Sequence, residues 1–333
     1  YAITRGTLQI NDVNSTTSLD NNYTLTFVGA NFEITRRPIT ITANNRTKTY
    51  GDPITMGTSQ FGITGDGMAY SETIISVDMA SLGEPISAHI GPYAITTANA
   101  VGANGYLVTN YTVTYSSAGT LTVGVRTLTL SNFGADSKIY DGTTVATGIG
   151  FDDNRIPGDN LAFTRDAAFE TASVGVNKPV QYTNIVISGG SDMMNYVLAS
   201  TTGTAYADIY VRAMTITAND VEKPYGTTLT SGAGKTEFIS SGLQNGETIG
   251  SVTLTYGSGA AALDAIGLYP DQITPSVATG GTFSASNYSI TYATGDITVI
   301  PATKISGFVK YYNKNGDIPM NNIRVELQGT AYF

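Results

Sequence analysis

The sequence predicts an all-β protein built from tandem β-sandwich modules. Three observations support this fold class: short phrases that return at a nearly constant interval, apolar and polar residues that alternate along candidate strands, and a composition rich in Thr, Ser, Gly and Tyr but only 13% charged. A fixed long period indicates one folding unit copied in tandem. A chain of this kind is expected to supply length and surface rather than chemistry.

The clearest repeated phrase is Asn-Tyr followed by alternating residues. It begins at Asn22, Asn110, Asn195 and Asn287, so consecutive copies are 85 to 92 residues apart. A strand opening, a Lys-x-Tyr phrase and a closing strand recur around it in the same order. The openings start at Arg37, Arg126 and Arg212, the Lys-x-Tyr tyrosines are Tyr50, Tyr140 and Tyr225, and closing strands start at Gly119 and Gly295.

These phrases divide the chain into three complete modules with partial ones at both ends. Residues 1–35 are predicted to be the C-terminal part of a preceding repeat, and residues 301–333 the start of a different β module. The complete modules are predicted at 36–125, 126–211 and 212–300, each long enough to bury its own core. Because the chain starts inside a broken repeat, we expect it to be a piece of a longer protein without a signal peptide here.

Alternation with a period of two indicates strands with one buried face. Ile39, Ile41 and Ala43 fall on one side of the opening strand, with Thr40 and Thr42 opposite. Turn signals such as Asn-Gly and Pro-Gly-Asp separate these runs, and no long stretch has the apolar spacing of a helix. About seven short strands fit each module, which favours an immunoglobulin-like sandwich.

The links between modules are very short. Gly124, Val125 and Arg126 separate the first closing strand from the second opening strand, and the link at Val211 is equally tight. Without a flexible linker, neighbouring modules should have limited relative swing. End-to-end stacking of such modules would make an extended array, a rod on the order of 100 Å long.

Charge and cysteine content exclude several classes of partner and site. The net charge is −9, with no basic cluster, which disfavours nucleic acid and anionic membrane surfaces. The chain has no Cys, so disulfides and Cys-based metal sites are excluded. No apolar stretch approaches the ~18 residues of a membrane span, so direct membrane insertion is not expected.

The phrases resemble those of two related repeat families of large bacterial surface proteins. Residues 36–125 and 212–300 resemble the MBG ("mostly beta, glycine-rich") domain, through Arg-Pro-Ile-Thr-Ile-Thr-Ala, Lys-Thr-Tyr-Gly-Asp and Asn-Tyr-Thr-Val-Thr-Tyr in the first copy and Ser-Gly-Leu-Gln-Asn-Gly-Glu-Thr in the later one. The central module resembles the YDG repeat through Lys138-Ile139-Tyr140-Asp141-Gly142. Residues from 305 onward resemble the start of a bacteroidete surface-protein module.

The resemblance implies a secreted, extracellular protein and a role in a long cell-surface adhesin. In bacteroidetes such repeats often belong to type IX secretion cargo, including gliding-motility adhesins. The implied partners are neighbouring repeats of the same chain, secretion or motility machinery, and surface glycans. The alternatives are a carbohydrate-binding array, using some of the 21 tyrosines to stack sugars, or an accessory region of an exported enzyme.

We predict no catalytic, cofactor-binding or metal-ligating residues. His89 is the only histidine, and its neighbours show no nucleophile turn, so it is interpreted as a strand or loop residue. Carboxylates and amides occur in turn-like clusters, for which turn formation is the preferred interpretation, Ca²⁺ binding the second and catalysis the third. These clusters are Asp136 with Asp141, Asp152-Asp153 with Asp159, Asp264 with Asp271, and Asn313, Asn315 and Asp317.

Two recurring phrases are interpreted structurally. Because the Lys-x-Tyr phrase returns in every copy, Tyr50, Tyr140 and Tyr225 are expected to pack their rings within the module while the hydroxyl reaches a backbone group. The Asn-x-Thr/Ser triplets are interpreted as strand-start chemistry rather than glycosylation sites. These triplets begin at Asn22, Asn45, Asn110 and Asn287.

Overall fold

The computed structural model describes residues 1–4, 6 and 26–302, and the backbone of residues 310–311 and 318–319. Within this part of the chain there is no α-helix. The only helical segments are 3₁₀ turns at Val108–Asn110, Met193–Asn195 and Ala285–Asn287. No helix among these residues has the length and hydrophobicity to cross a membrane. The all-β class and the repeated modules predicted from the sequence are therefore confirmed.

The first module follows a short antiparallel pair, β1 (Ala2–Ile3) and β2 (Ala30–Asn31). Residues 37–124, all of them described, form seven strands. These are β3 (Arg37–Ala43), β4 (Arg46–Thr49), β5 (Phe61–Gly65), β6 (Thr73–Ser81), β7 (Gly91–Ala103), β8 (Tyr111–Ser116) and β9 (Gly119–Gly124). They make two sheets, with orders β5-β3-β8 and β4-β9-β7-β6.

Two parallel pairs distinguish this module from a purely antiparallel sandwich. Strand β3 pairs in parallel with β8, and β4 pairs in parallel with β9. The chain thus changes sheet between β3 and β4, within Asn44-Asn45. The Asn45 side chain stabilises this crossing because its Oδ1 accepts the Thr120 amide of β9 at 2.9 Å. Ser137 and Asp220 accept equivalent amides in the later modules.

The core of the first module lies between its two sheets. Ile39 and Ile41 of β3 pack with Ile74 and Val77 of β6 and with Tyr111 of β8. The residues predicted from alternation to face inward, Ile39, Ile41 and Ala43, are all buried.

The second module contains strands that form three sheets. They are β10 (Arg126–Leu128), β11 (Leu130–Gly134), β12 (Lys138–Ile139), β13 (Gly150–Asp153), β14 (Ala162–Phe169), β15 (Gly175–Gly189), β16 (Tyr196–Leu198) and β17 (Gly203–Tyr210). The sheet orders are β10-β16, β11-β13 and β12-β17-β15-β14. As in the first module, the opening strand pairs in parallel with the strand that follows Asn-Tyr, here β10 with β16.

The third module repeats the pattern of the first. Its strands are β18 (Arg212–Ala218), β19 (Val221–Pro224), β20 (Gly232–Lys235), β21 (Phe238–Ser241), β22 (Ile249–Tyr256), β23 (Gly267–Gly281), β24 (Tyr288–Ala293) and β25 (Gly295–Ile300). The sheet orders are β21-β18-β24 and β19-β25-β23-β22-β20. Two further strands, β26 (Lys310–Tyr311) and β27 (Ile318–Pro319), pair antiparallel. Strands of up to 15 residues are longer than the short strands expected from the sequence.

By its contacts the chain divides into two compact units. The first contains Tyr1–Asn132, Phe151–Asp166 and Thr183–Gly203, and the second contains Phe133–Gly150, Ala167–Tyr182 and Thr204–Phe333. The division passes through the second module. Each unit therefore includes one flanking module, part of the second module, and the junction that joins them.

Candidate functional site at the module junctions

In each Lys-x-Tyr phrase, the lysine side chain holds the turn by hydrogen bonds to loop carbonyls. Lys48 and Lys223 are buried, and their ammonium groups donate to loop carbonyls. Lys48 Nζ lies 3.0 Å from Glu84 O and 2.6 Å from Pro85 O, and Lys223 Nζ lies 2.9 Å from Thr227 O and 2.7 Å from Ala261 O. In the second module Lys138 Nζ binds Thr143 O and Val145 O and pairs with Asp141 at 2.9 Å. These bonds satisfy a buried charge and hold the tyrosine two residues later in place.

In the first unit, Tyr50 of the first module is buried against the Asn-Tyr phrase of the second. Its ring is only 2% exposed and meets the Tyr196 ring edge-on, with centroids 5.5 Å apart at 77°. This is the favourable geometry for two aromatic quadrupoles. Tyr50, Val123, Leu128, Leu161 and Tyr196 belong to one apolar cluster, so the core continues from one module into the next.

Asp159 is the carboxylate that interacts with the tyrosines of this junction. The Tyr196 hydroxyl donates to Asp159 Oδ2 and accepts the Ile156 amide at 2.9 Å. Burial, then the hydrogen bond with Asp159, raises the pKa of Tyr196 to about 12. The same two causes raise the pKa of Tyr50 above its ordinary value. The Tyr196 phenol is therefore held in the protonated form, as a donor to a carboxylate.

Backbone and amide groups complete the first junction. Asn195, which is 1% exposed, accepts the Ile90 amide at 3.1 Å through Oδ1. Its Nδ2 lies 2.8 Å from His89 Nδ1, and the His89 ring stacks on Tyr50 with centroids 6.3 Å apart. Only Val125 lies between β9 and β10. The junction thus combines a one-residue link with hydrogen bonds on both sides of it.

The second unit contains the same arrangement between the second and third modules. Tyr140 is 4% exposed, and its ring meets the Tyr288 ring edge-on at 5.4 Å and 79°. The carboxylate here is Glu247, whose Oε1 accepts the Tyr140 hydroxyl at 2.6 Å while Oε2 accepts the Tyr288 hydroxyl. Burial, then the Glu247 hydrogen bond, raises the pKa of Tyr288 to about 12 and raises that of Tyr140.

The polar contacts of the second junction also match the first. Asn287, 5% exposed, accepts the Val174 amide at 3.1 Å, as Asn195 accepts Ile90. The Gln244 amide donates to the Tyr288 hydroxyl at 3.1 Å, and Asn245 Nδ2 donates to Gly142 O at 3.2 Å. Only Val211 lies between β17 and β18.

The prediction for the Lys-x-Tyr tyrosines is therefore partly wrong. Ring packing is confirmed for Tyr50 and Tyr140, but it occurs against the next module, and the Tyr140 hydroxyl reaches a carboxylate rather than the backbone. Tyr225 is 42% exposed, so it does not pack as expected. A sequence phrase that packs against the neighbouring module recurs as regularly as one that packs within its own module. Recurrence alone therefore does not distinguish a contact between modules from a contact within one.

The sequence analysis does not predict the junction carboxylates as a set. Tyr111, Tyr196 and Tyr288 each donate to an acid 39, 37 and 41 residues earlier, namely Glu72, Asp159 and Glu247. An acid at a nearly constant distance before each Asn-Tyr phrase was thus the signal that could have revealed them.

His89 lies in the loop before β7, where its carbonyl accepts the Tyr93 hydroxyl at 2.9 Å and its ring contacts Asn195 and Tyr50 at the first junction. The remaining candidate acids have local partners. Asp141 accepts the Thr143 amide, Asp264 the Ala261 amide, and Asp153 pairs with Arg155. Asp152 accepts Asn132, Asp136 accepts Thr147, and Asp271 accepts Thr294.

Turn and loop bonding thus occupies these acids. Among the described residues, no group of three or more His, Asp or Glu side chains is placed to hold a metal ion. Asn313, Asn315 and Asp317 lie outside the described residues, as does Asn22.

Of the other triplet asparagines, Asn110 and Asn287 end 3₁₀ turns directly before strands. This position fits the strand-start interpretation.

The junctions hold neighbouring modules together by three kinds of contact. These are buried aromatic rings, a carboxylate that accepts hydrogen bonds from phenols, and asparagine side chains that bond backbone amides across a one-residue link.

Two family models match parts of the chain. Residues 39–122 and 214–298 match the MBG domain (YGX type), and residues 125–203 match the YDG domain. The MBG matches alone include more than half of the 333 residues. Both are non-catalytic repeat domains.

No curated protein sequence matches the chain. Among solved structures, the crystal structure of Drosophila N-cadherin EC1-3 matches with 10% identity and a TM-score of 0.22, covering 79% of this chain and 99% of that one.

Proposed function

Because this chain belongs to the family of tandem MBG (YGX type) and YDG domains, which are typical of bacterial surface proteins, we propose that it is a non-catalytic stalk segment of a large secreted adhesin. In this role the modules form a spacer that presents a distal part of the protein away from the cell. The extracellular, cell-surface location belongs to the same proposal. So do type IX secretion and a part in attachment or gliding, which rest on the resemblance of the repeats.

One observation carries the proposal: a tyrosine of each preceding module is buried under the next module at a one-residue link. Tyr50 and Tyr140 are 2% and 4% exposed, and each shares a carboxylate environment with the Asn-Tyr tyrosine it contacts. Burying most of an aromatic ring contributes on the order of 2 kcal/mol, and a hydrogen bond to a charged acceptor adds about 1.5–3 kcal/mol. Contacts of this size resist swinging at the junction, which is what a spacer requires.

A replacement experiment in the intact surface protein tests the role. Residues 36–300 are deleted in one strain and replaced in another by an unrelated sandwich array of similar length, and attachment of the cells is measured. We expect deletion to reduce attachment and the unrelated array to restore it, because a spacer contributes length rather than recognition. Loss of attachment in both strains, with the protein still detected at the surface, contradicts the proposal.

The carbohydrate-binding alternative has its own test. The isolated chain is applied to an array of bacterial and host glycans, with the array surface alone as control. We expect no saturable binding, because a spacer needs no glycan site and the junction tyrosines, being buried, cannot stack on sugars. Saturable binding to a defined glycan would favour a recognition module.

A further inference from the structure

Two Asn-Gly pairs in the described part of the chain form the same tight turn. The turns span residues 103–106 and 244–247, and in each the amide of the fourth residue donates to the carbonyl of the first, at 3.3 Å and 2.9 Å respectively. The four central residues have φ between +49° and +94°, which is the pattern of a type I′ turn. These central residues are Asn104-Gly105 and Asn245-Gly246.

An exposed Asn-Gly turn has the groups that spontaneous deamidation requires. The glycine amide nitrogen loses its proton to hydroxide and attacks Cγ of the asparagine, the Cγ–Nδ2 bond breaks, and Nδ2 leaves as ammonia after taking a proton from water. Water then opens the resulting five-membered succinimide to aspartate or isoaspartate, so that one amide and one water become one carboxylate and one ammonium ion. Glycine favours the attack because it has no side chain beside the reacting nitrogen.

Both turns leave the reacting atoms open to solvent. The bond that closes a type I′ turn uses the amide of the fourth residue, so the amide of the glycine in the third position takes no part in it. Asn104, Gly105, Asn245 and Gly246 are all exposed. Water and hydroxide, the two co-reactants, therefore reach both pairs.

The two asparagines differ in what their side-chain amides bind. Asn104 Nδ2 donates to Thr73 Oγ1 at 3.3 Å, within the first module. Asn245 Nδ2 donates to Gly142 O at 3.2 Å, across the second junction. The two modules approach closely here, since a Cβ on Gly142 would lie 2.6 Å from Asn245 Cβ. Loss of Nδ2 therefore removes a bond between modules at Asn245 but only a bond within one module at Asn104.

We propose that Asn245 is a deamidation site through which the second junction loosens irreversibly with time. The reaction replaces the donor Nδ2 by a carboxylate oxygen, which repels the Gly142 carbonyl that it faces. The isoaspartate product also lengthens the backbone by a methylene group, two residues before the Glu247 carboxylate that accepts Tyr140 and Tyr288. This inference does not depend on the stalk role, because it requires only that the junction is formed.

The first junction has no such pair beside its carboxylate. The two residues directly before Asp159 are Pro157 and Gly158, and proline has no side-chain amide to lose. The two junctions should therefore age differently in the same molecule. The Ile90 amide, which donates to Asn195 at the first junction, serves as an internal control.

Incubation of the full chain for weeks at mildly alkaline pH tests the reaction, with peptide mass spectrometry to locate each converted asparagine. We expect conversion at Asn104 and Asn245. The control is Asn184, which is also exposed with a positive φ, of +53°, but is followed by the β-branched Ile185, and which should keep its amide. An intact Asn245 at the end of the incubation overturns the proposal, whether or not Asn104 has reacted.

Two matched variants measure the effect on the junction. Asn245→Asp and Asn104→Asp each place the product carboxylate in one of the two turns. Asn245→Asp should accelerate hydrogen exchange of the Val174 amide, which donates to Asn287 across the second junction, by about fivefold, and should leave Ile90 unchanged. Asn104→Asp should change neither amide. Equal Val174 exchange in Asn245→Asp and the wild type overturns the proposed loosening.

A third variant separates ageing at Asn245 from ageing elsewhere. Asn245→Gln keeps a side-chain amide but would have to form a six-membered ring, so it should react far more slowly. Val174 exchange in the incubated wild type should rise with the converted fraction of Asn245, whereas in incubated Asn245→Gln it should stay constant. An equal rise in both proteins would assign the change to another residue and overturn the proposal.

Discussion

A carboxylate placed between two phenols is the central residue-level feature of the second junction. Glu247 is half-buried and accepts both Tyr140 and Tyr288, one at each oxygen. A buried carboxylate is costly unless its oxygens are paired, and the two phenols supply that pairing from different modules. Because its two oxygens accept hydrogen bonds from tyrosines of different modules, Glu247 couples the second module to the third.

Glu247→Gln should loosen this junction without unfolding the modules. The amide keeps the shape of the side chain but is uncharged and offers only one acceptor oxygen. One phenol therefore loses its acceptor and the other keeps only a neutral one, at a cost of about 1–2 kcal/mol. The Val174 amide, which donates to Asn287 across the junction, should then exchange its hydrogen roughly tenfold faster.

Two controls accompany this measurement. The Ile90 amide reports the first junction and should be unaffected by Glu247→Gln. Glu222→Gln changes an exposed glutamate of β19 and should leave Val174 exchange unchanged. Equal Val174 exchange in the wild type and Glu247→Gln would show that the carboxylate does not hold the junction.

Alkaline pH should weaken the junctions through the same phenols. Tyr196 and Tyr288 have pKa values raised to about 12, above the value near 10 of an unfolded chain. A phenol whose pKa is raised in the folded protein adds to the free energy of unfolding. This contribution is fully present below about pH 10 and is lost as the pH rises toward 12.

The measurement is the urea midpoint between pH 9 and 12. Tyr288→Phe, which cannot ionise, should lower the midpoint at neutral pH and flatten its decline above about pH 10. Tyr206→Phe changes an exposed tyrosine and should keep the wild-type slope. A decline that is as steep in Tyr288→Phe as in the wild type contradicts the assignment of Tyr288.

At the scale of elements, the turn after each junction tyrosine determines how closely two modules approach. Gly51 has φ of +80°, and a Cβ there would lie 2.5 Å from Ile156 Cδ1 in the second module. Gly226 is the corresponding residue after Tyr225, with φ of +92°, but a Cβ there meets nothing within 4 Å.

These two glycines form a matched pair for substitution. Gly51→Ala and Gly226→Ala both place an alanine in a left-handed backbone conformation, which costs on the order of 1 kcal/mol of folding stability. Gly51→Ala should cost about 1 kcal/mol more, because Ile156 must move, and should accelerate Ile90 exchange. Equal destabilisation by the two changes would mean that the turn of Tyr50 does not set the spacing between modules.

The strands could be predicted from the sequence because their signal is local. Ile39, Ile41, Met214 and Ile216 alternate with polar residues and are buried as expected. The parallel pairing of β3 with β8 and the contact of Tyr50 with Tyr196 could not be read in this way. Both join residues more than 70 positions apart, and neither leaves a local pattern.

At the scale of the whole molecule, the junctions make each module dependent on its neighbour. Leu128 and Tyr196 of the second module share a cluster with Tyr50 and Val123 of the first. Mutations at such positions should therefore change the stability of two modules together, unlike mutations within the core of one, such as Ile41.

Small-angle X-ray scattering of the wild type and of the double variant Tyr50→Ala/Tyr140→Ala tests the central claim most directly. We predict that the profile of the wild type shows less internal flexibility than that of the variant, whose β content is unchanged by circular dichroism. Equal flexibility of the two proteins would contradict the account.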